Sequence, residues 1–253
     1  MIKGIHHVGV AVRSLKDACG FWRDTLGLPL IREAELPDQG VRAALLASGS
    51  CEIELLEPTG PDTPVGRFIE RRGPRLHHLC FQSDDVGRDV QRFWGTGVEM
   101  IDTKPRKGLV GMIAFVHPRS TAGILVELAT PPASAKLPES PVAVTVAHLI
   151  VEDVRTAVYL FRDMFGLPIR ISHPDWSIAQ LAAAAGVALQ FGSTTTTAGK
   201  PGLSMLRMMS RSLDFVGARL DARGLGYRRD AVGIVLGPDP TGGVPLIIHQ
   251  PQA

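Results

Sequence analysis

The chain has few cysteines and no long apolar runs, and each absence excludes a class of protein. Its three cysteines, Cys19, Cys51 and Cys80, include no CxxC pair, and an odd number argues against a disulfide framework. No apolar stretch approaches the roughly 20 residues that span a bilayer. The first residues already resemble a strand, with no charged and apolar leader before them. We therefore expect a cytoplasmic protein that does not bind membranes.

The chain also lacks an excess of charge of either sign. The 27 Lys and Arg residues against 25 Asp and Glu residues give a formal net charge of +2. A charge this small does not by itself attract nucleic acid or a membrane surface, so neither is expected as a partner. A hydrophobic content of 45% is ordinary for a globular protein, and 253 residues suit one large domain or two ordinary ones.

A β-α-β-β-β pattern recurs four times and predicts an α+β fold. The first copy opens with an alternating strand at residues 5–12, followed by a helix that Ser14 caps and Gly27 ends, and then by three short strands. Further copies begin near residues 76, 146 and 203, and residues 161–168 nearly repeat residues 22–29. Such repeats predict modules of one architecture, grouped two by two.

The second module and the segment after it carry more specific predictions. After a helix capped by Asp84 or Asp85, we expect strands at residues 100–103, 112–117 and 123–128. Residues 132–144 are rich in proline and show little periodicity, which indicates a linker. The predicted domains are therefore residues 1–131 and residues 145–253.

Two strand-like segments each carry a pair of adjacent histidines. His6 and His7 lie in the first, and His77 and His78 lie in the segment that opens the second module. Because side chains alternate along a strand, His7 and His78 lie on the less bulky faces of their strands, as Glu127 does on its own. His6 and His77 point the other way, so we expect them beside a site rather than in it.

The remaining carboxylate is ambiguous, because Glu52 and Glu54 share one face of their strand. A carboxylate among Ile, Leu and Val is costly to bury unless it is paired or bound to a metal. Two imidazoles and two carboxylates suit Co²⁺, Zn²⁺, Ni²⁺, Mn²⁺ or Fe²⁺. The pattern predicts a metal site; the alternative is that the histidines are satisfied within the core and the glutamates are solvated.

The doubled module with His, Glu, His and Glu on successive strands resembles the vicinal oxygen chelate superfamily, and residues 5–131 resemble its methylmalonyl-CoA epimerases. The matching stretches are residues 5–12, 53–58, 76–78, 104–106, 115–118 and 123–128. The resemblance implies two vicinal-oxygen-chelate domains, each built of paired βαβββ modules that form a curved mixed sheet around a cleft.

The resemblance also implies a site and a reaction. One divalent ion, with Co²⁺ favoured, would be held by His7, Glu54, His78 and Glu127. A 2-substituted malonyl-CoA-type thioester would be epimerised by removal and return of its α-proton, with Glu127 as both ligand and base. A second base proposed for the family follows a Gln-Gly-Val turn, but residues 39–44 hold no carboxylate there, so Glu54 is expected to replace it.

The substrate side of the resemblance is less closely matched. The loop at residues 104–111 lacks the usual histidine and is about one residue shorter than the family's pattern. Seven basic residues are candidates for contacts with CoA phosphates, a solvated basic face being the alternative. They are Arg67, Arg71, Arg72, Arg75, Lys104, Arg106 and Arg119.

The second half repeats the pattern without the full ligand set. His148 corresponds to His7 and Gln190 falls near the position of Glu54, but Met205 and Ile247 stand at the positions of His78 and Glu127. We therefore expect no metal in this domain. A homodimer is a further expectation. The competing functions are a glyoxalase-type isomerase, an extradiol dioxygenase, and a non-catalytic ligand-binding or resistance protein of the same fold.

Overall fold

The computed structural model describes residues 1–132, 136–182, 186–195 and 200–251. Residues 133–135 of the predicted linker, and residues 183–185, 196–199 and 252–253 of the predicted second domain, lie outside the described part. The helices are α1 Leu15–Trp22, α2 Pro64–Arg72, α3 Val86–Gly95, α4 Val154–Phe165 and α5 Leu213–Asp221. No helix among the described residues is long and apolar enough to cross a membrane.

The strands form two mixed sheets of eight strands each, one from each half of the sequence. The first sheet contains β1 Ile2–Ala11, β2 Leu30–Leu36, β3 Val41–Ser48, β4 Cys51–Pro58, β5 Arg75–Ser83, β6 Arg106–Gly108, β7 Gly111–Val116 and β8 Val126–Thr130. The second contains β9 Val142–Val151, β10 Ile169–Ser172, β11 Ile178–Ala182, β12 Ala188–Ser193, β13 Gly202–Ser210, β14 Arg228–Asp230, β15 Gly233–Leu236 and β16 Leu246–His249.

The strand order shows how the modules join. It is β2-β3-β4-β1-β5-β8-β7-β6 in the first sheet and β10-β11-β12-β9-β13-β16-β15-β14 in the second. Each sheet is therefore two βαβββ modules joined through their opening strands, β1 with β5 and β9 with β13. The predicted fold class, α+β with two domains of paired βαβββ modules, is confirmed.

The helix that follows each opening strand begins at a side-chain cap. The side chains of Ser14, Asp85, Asp153 and Ser212 each accept a hydrogen bond from the backbone N–H three residues further on, at 3.0–3.2 Å. A cap of this kind satisfies one of the backbone donors that the first turn of a helix leaves without a partner. The cap predicted at Ser14 is confirmed, and Asp85 rather than Asp84 caps α3.

One predicted strand is wrong. Residues 100–103 form only an isolated bridge between Met100 and Val116, and the short strand of this module is β6, Arg106–Gly108. The Asp102 side chain accepts a hydrogen bond from the Phe115 N–H at 2.9 Å, and the Ile101 N–H donates to the Phe115 carbonyl at 2.8 Å. This local bonding holds the segment as a loop, which apolar alternation over four residues could not reveal.

The predicted linker is partly strand. Strand β9 begins at Val142, so the last three residues of the predicted linker, 142–144, belong to this strand. The Ser48 hydroxyl donates to the Val142 carbonyl at 3.2 Å and accepts from the Val144 N–H at 3.0 Å. The division into domains 1–131 and 145–253 stays a prediction.

The chain forms two compact units, and each takes segments from both halves of the sequence. The first comprises the described parts of Met1–His7, His78–Ala135 and Val146–Ser204. Within it, the Phe81 ring of β5 stacks on the Phe165 ring of α4, with centroids 4.1 Å apart and planes 2° from parallel. Both rings are buried, so this contact contributes to the apolar core of the unit.

The second unit comprises the described parts of Val8–His77, Lys136–Thr145 and Met205–Ala253. Within it, the fully buried Trp22 of α1 donates its indole N–H to the Thr241 carbonyl at 3.1 Å. The Arg219 side chain of α5 donates to the carbonyls of Asp24 and Thr25, just beyond α1. Polar groups of α1 and its surroundings are therefore satisfied by residues of the last module.

Two glycines that open antiparallel strands, one in each sheet, let neighbouring strands approach closely. Gly111 opens β7 with φ +119°, and Gly233 opens β15 with φ +135°. A Cβ atom at Gly111 would lie 2.2 Å from the Thr130 carbonyl oxygen, and one at Gly233 would lie 2.2 Å from the Ile248 oxygen. No side chain fits at these distances, so both positions require glycine.

We predict that Gly111→Ala destabilises the protein by more than about 1 kcal/mol, because the native backbone cannot accept a Cβ there. Urea-induced unfolding should show a lower midpoint. Gly95→Ala is the matched control, because Gly95 ends α3 without a positive φ and a Cβ atom at this residue would have no neighbour within 4 Å. Equal midpoints for the two variants would contradict the close approach of β7 and β8.

Candidate metal centre

Four neighbouring strands of the first sheet carry the predicted ligands. His7 lies on β1, Glu54 on β4, His78 on β5 and Glu127 on β8. These strands are adjacent in the order β4-β1-β5-β8, so residues far apart in sequence reach the middle of one sheet. The site is thus built where the two modules of the first sheet join.

The ligand atoms of these side chains converge. One atom from each of His7, Glu54, His78 and Glu127 lies within 4.8 Å of every other. The Nε2 atoms of His7 and His78 are 3.1 Å apart, and the Glu127 Oε2 atom lies 3.2 Å from His78 Nε2 and 3.9 Å from His7 Nε2. Donors that each lie about 2.0–2.2 Å from one ion are about 3–3.5 Å apart, so the spacing fits a shared cation.

All four side chains are removed from solvent. The exposed fraction is 0% for His7, 5% for Glu54, 1% for His78 and 4% for Glu127. Two carboxylates buried this close together would repel each other, and removing each from water is costly. A divalent cation offsets both effects, so the burial favours a metal site over solvated glutamates.

Strand register puts the ligands on one face of the sheet. Cys80 pairs with Glu127 across the parallel strands β5 and β8, so His78, two residues before Cys80, lies on the same face as Glu127. Phe115 pairs with Glu127 from the other side, and its ring meets the His78 ring edge-on at 5.5 Å between centroids. We call this side of the sheet the ligand face.

The structure also distinguishes Glu54 from Glu52. Both side chains are buried, with exposed fractions of 5% and 6%. Only Glu54 belongs to the four-residue group that the described residues form, while Glu52 lies two residues earlier on the same strand, opposite Ala47. Alternation could not make this choice, because the two residues are separated by one full period of the strand.

The two histidines beside the ligands differ in their surroundings. His6 Nδ1 lies 3.0 Å from His7 Nδ1, on the side of the ring away from His78. A hydrogen bond to the second ring nitrogen orients a metal-binding imidazole and fixes its tautomer. His77 instead meets the Phe68 ring edge-on at 4.6 Å, so it packs away from the ligands.

A second group of donors overlaps the first. His6, His7 and Cys80 also bring one donor atom each within 4.8 Å of the others. The two groups share His7, and the second adds a thiol where the first has two carboxylates. Thiolates favour softer ions such as Zn²⁺ or Cu⁺, whereas the carboxylate-rich group suits harder ones.

Three of the predicted CoA-contacting residues interact with other groups of the protein. Arg67 donates to the Asp62 carbonyl, and the Arg71 Nε atom donates to the Arg67 carbonyl at 3.1 Å. Arg119 lies 3.5 Å from Glu99 and its side chain is 77% exposed. His117 accepts a hydrogen bond from the Arg119 N–H at 3.2 Å and so caps the short turn that follows β7.

Sequence reasoning missed Asp102 and Phe115, which lie close to the centre. The Asp102 carboxylate binds the Arg106 Nε atom at 3.1 Å and also the Phe115 N–H. Opposite charges four residues apart, at 102 and 106, are a sequence signal for this ion pair. The strand predicted over residues 100–103 argues against the pair, because an extended strand separates such residues.

The second sheet keeps the register and changes the residues. His148 pairs with Gln190 across β9 and β12. Arg207 pairs with Ile247 as Cys80 pairs with Glu127, so Met205 occupies the place of His78 and Ile247 the place of Glu127. The correspondence inferred for these two positions is confirmed. Neither methionine nor isoleucine replaces an imidazole or a carboxylate for a borderline cation.

Comparison with known proteins agrees with this architecture. The family model of the glyoxalase/bleomycin resistance protein/dioxygenase superfamily matches residues 6–115. An ethylmalonyl-CoA/methylmalonyl-CoA epimerase from Cereibacter sphaeroides is 32% identical over 131 residues, which are 51% of this chain and 98% of that protein. A solved variant of methylmalonyl-CoA epimerase from Streptomyces coelicolor, in complex with 2-nitronate-propionyl-CoA, is 33% identical with a TM-score of 0.51 and covers 54% of this chain and 99% of its own.

The full length of the chain matches a solved fold as well. A variant of 4-hydroxymandelate synthase from Streptomyces coelicolor has a TM-score of 0.72 and covers 99% of this chain and 93% of its own. At 19% identity this likeness concerns the fold alone. The chain therefore belongs to the glyoxalase/bleomycin resistance protein/dioxygenase superfamily, and its N-terminal half is similar to methylmalonyl-CoA epimerases.

Proposed function

We propose that this protein is a divalent-metal-dependent epimerase of a 2-substituted malonyl-CoA-type thioester, with its site in the N-terminal half. The observation that carries the proposal is the convergence of His7, Glu54, His78 and Glu127 within 4.8 Å of one another, all buried. The similarity of the same half to methylmalonyl-CoA epimerases supports the choice of substrate class.

The residues present fit a divalent cation. Two imidazole nitrogens and two carboxylates are donors that Co²⁺, Zn²⁺, Ni²⁺, Mn²⁺ and Fe²⁺ accept, and the resemblance to the epimerases favours Co²⁺. When bound, such an ion supplies Lewis-acid stabilisation of the negative charge that develops on the thioester oxygen. His6 holds the Nδ1 side of His7, which leaves His7 Nε2 directed at the centre.

The two glutamates account for the proton transfers. The α-hydrogen of a malonyl-type thioester lies between a carbonyl and a carboxylate, and a base on one face must remove it while an acid on the other returns one. We assign removal to a carboxylate oxygen of Glu127 and return on the opposite face to Glu54; for the other enantiomer the roles reverse.

The partner implied is a small acyl-CoA. The Streptomyces coelicolor epimerase variant was solved with 2-nitronate-propionyl-CoA, and this chain resembles it over its N-terminal half. A homodimer and the division into domains 1–131 and 145–253 belong to the same proposal.

A second function has one specific observation in its favour. His7, His78 and Glu127 alone form a set of two histidines and one carboxylate, with separations of 3.1–3.9 Å. Sets of this kind hold Fe²⁺ in oxygenases. An extradiol dioxygenase is therefore the alternative that experiments must distinguish from the epimerase. Glu54 would then be surplus to the reaction.

We predict one metal ion per chain, lost in His78→Ala because the variant removes the imidazole at the centre of the group. Metal analysis of the purified protein by mass spectrometry measures it. His173→Ala is the control, since His173 is 62% exposed and lies outside the group. Two ions per chain, or full metal content in His78→Ala, would refute the ligand assignment.

We predict that Glu127→Gln lowers α-proton exchange by about 10²–10⁴-fold, because the amide retains an oxygen donor but cannot take the proton. The assay is deuterium incorporation from heavy water into methylmalonyl-CoA under nitrogen, with metal content measured on the same sample. The exposed Glu152→Gln serves as control. Exchange at the wild-type rate in Glu127→Gln would rule out its role as base.

Anaerobic exchange by the wild-type protein also separates the two candidate reactions. An epimerase exchanges its substrate proton without oxygen, whereas oxygen consumption on a catechol without thioester exchange would favour the dioxygenase. Failure to turn over either substrate class would leave a protein that binds a ligand without catalysis.

Glu54→Gln should separate exchange from inversion. If Glu54 serves the face opposite Glu127, one enantiomer should still exchange its proton while conversion to the other enantiomer slows by about 10²-fold or more. Chiral analysis of a single starting enantiomer, run beside the deuterium assay, measures both rates. Equal losses of exchange and inversion for both enantiomers would contradict a division of labour between the two glutamates.

A further inference from the structure

Arg106 lies on the ligand face of the first sheet, on its outermost strand. Arg106 pairs with Ile113 across β6 and β7, and Ile113 pairs with Ala129 across β7 and β8. Ala129 is two residues from Glu127, one full period of the strand, so Arg106 and Glu127 share a face. The guanidinium is therefore on the side of the sheet where a substrate of Glu127 must bind.

An aromatic ring links Arg106 to a metal ligand. The guanidinium carbon lies 5.6 Å from the centroid of the Phe115 ring, and that ring meets the His78 ring at 5.5 Å between centroids. The Phe115 ring thus contacts both the Arg106 guanidinium and the His78 imidazole. A single aromatic ring therefore separates the Arg106 guanidinium from the His78 imidazole.

Asp102 fixes the guanidinium. Its Oδ1 atom accepts from Arg106 Nε at 3.1 Å, and its Oδ2 atom accepts from the Phe115 N–H at 2.9 Å. The carboxylate is 16% exposed and the Arg106 side chain 37% exposed, so the pair is partly shielded from water. An arginine held at one edge and backed by an aromatic ring loses little freedom when it binds a ligand.

One end of the guanidinium has no partner. Arg106 Nη1 is buried and makes no hydrogen bond with any described residue. Such a donor is costly to leave unsatisfied, and guanidinium N–H groups match the two oxygens of a carboxylate in a planar, bidentate contact. The guanidinium thus retains hydrogen-bonding capacity for an anion on the ligand face.

We infer that Arg106 binds the free carboxylate of the malonyl-type thioester and so selects diacid over monoacid substrates. The inference rests on the proposed function and names the group by which its substrate is chosen. Phosphates of CoA are the other anionic source, but they lie at the far end of the pantetheine arm, whereas Arg106 lies one ring away from His78.

The test is steady-state kinetics of Arg106→Gln with the N-acetylcysteamine thioester of methylmalonate, which keeps the carboxylate and lacks every CoA phosphate. We expect KM to rise about 10- to 100-fold, the effect of losing a hydrogen bond to a charged group, with a smaller change in kcat. Arg106→Lys keeps the charge but not the bidentate contact, so its KM should lie between those of Arg106→Gln and the wild type.

Controls separate binding from folding. Lys107→Gln changes the next residue of β6, which points to the other face, and should leave KM unchanged. Metal content and melting temperature should match the wild type in all three variants. If Arg106→Gln does not fold, Arg106→Lys carries the test alone, and an unchanged KM in it would overturn the inference.

The outcomes also distinguish a failure of the Arg106 assignment from a failure of the proposed epimerase function. A KM that rises with the CoA thioester but not with the truncated one would assign Arg106 to a phosphate and overturn the carboxylate role. A wild-type KM in Arg106→Gln would overturn it as well while leaving the epimerase intact. Absence of exchange by the wild-type protein on both thioesters would instead refute the proposed function, and the inference with it.

Discussion

Four titratable side chains share a small buried volume at the centre of the first sheet, and this constraint shapes everything around them. Imidazoles and carboxylates with at most 5% of their surface exposed are stable only if each charge is compensated nearby. The strands that carry them are otherwise apolar, with Val8 and Val10 beside His7 and Leu79 and Phe81 beside His78, all fully buried. The core supplies the free energy that holds the polar centre in place.

Strand β5 shows how one segment serves both purposes. On its ligand face His78 lies 3.2 Å from Glu127, and on its other face Phe81 stacks on Phe165 of α4. The second half of the sequence thus contributes to the packing behind a candidate ligand, although its own sheet carries Met205 and Ile247 at the corresponding positions. A change in the second half can therefore disturb the centre without touching it.

The second sheet has the strand order of the first without its group of candidate ligands. Strand pairing in both sheets depends on backbone hydrogen bonds and on the apolar face, so β13 and β16 keep the register of β5 and β8. Met205 and Ile247 replace an imidazole and a carboxylate, and both substitutions remove a buried polar group that a sheet without a metal would have to satisfy.

Short-range rules were enough to predict the modules, two of the helix caps and three of the four candidate ligands from the residues alone. Alternation along a strand, a serine or aspartate before a helix and a glycine after it are all local signals. Alternation also brought His7, His78 and Glu127 into consideration, and the repeats indicated which positions in the second half correspond to them.

Which of these residues meet depends instead on the packing of strands that are distant in sequence. Side-chain alternation cannot distinguish Glu52 from Glu54, because both lie on one face of their strand. The packing of the neighbouring strands brings Glu54 to the histidines. The role of Asp102 likewise arises from Phe115 and Arg106, on β7 and β6, while the sequence around it indicated a strand. Convergence on one point is a property of four strands packed together, and no single strand contains the information that specifies it.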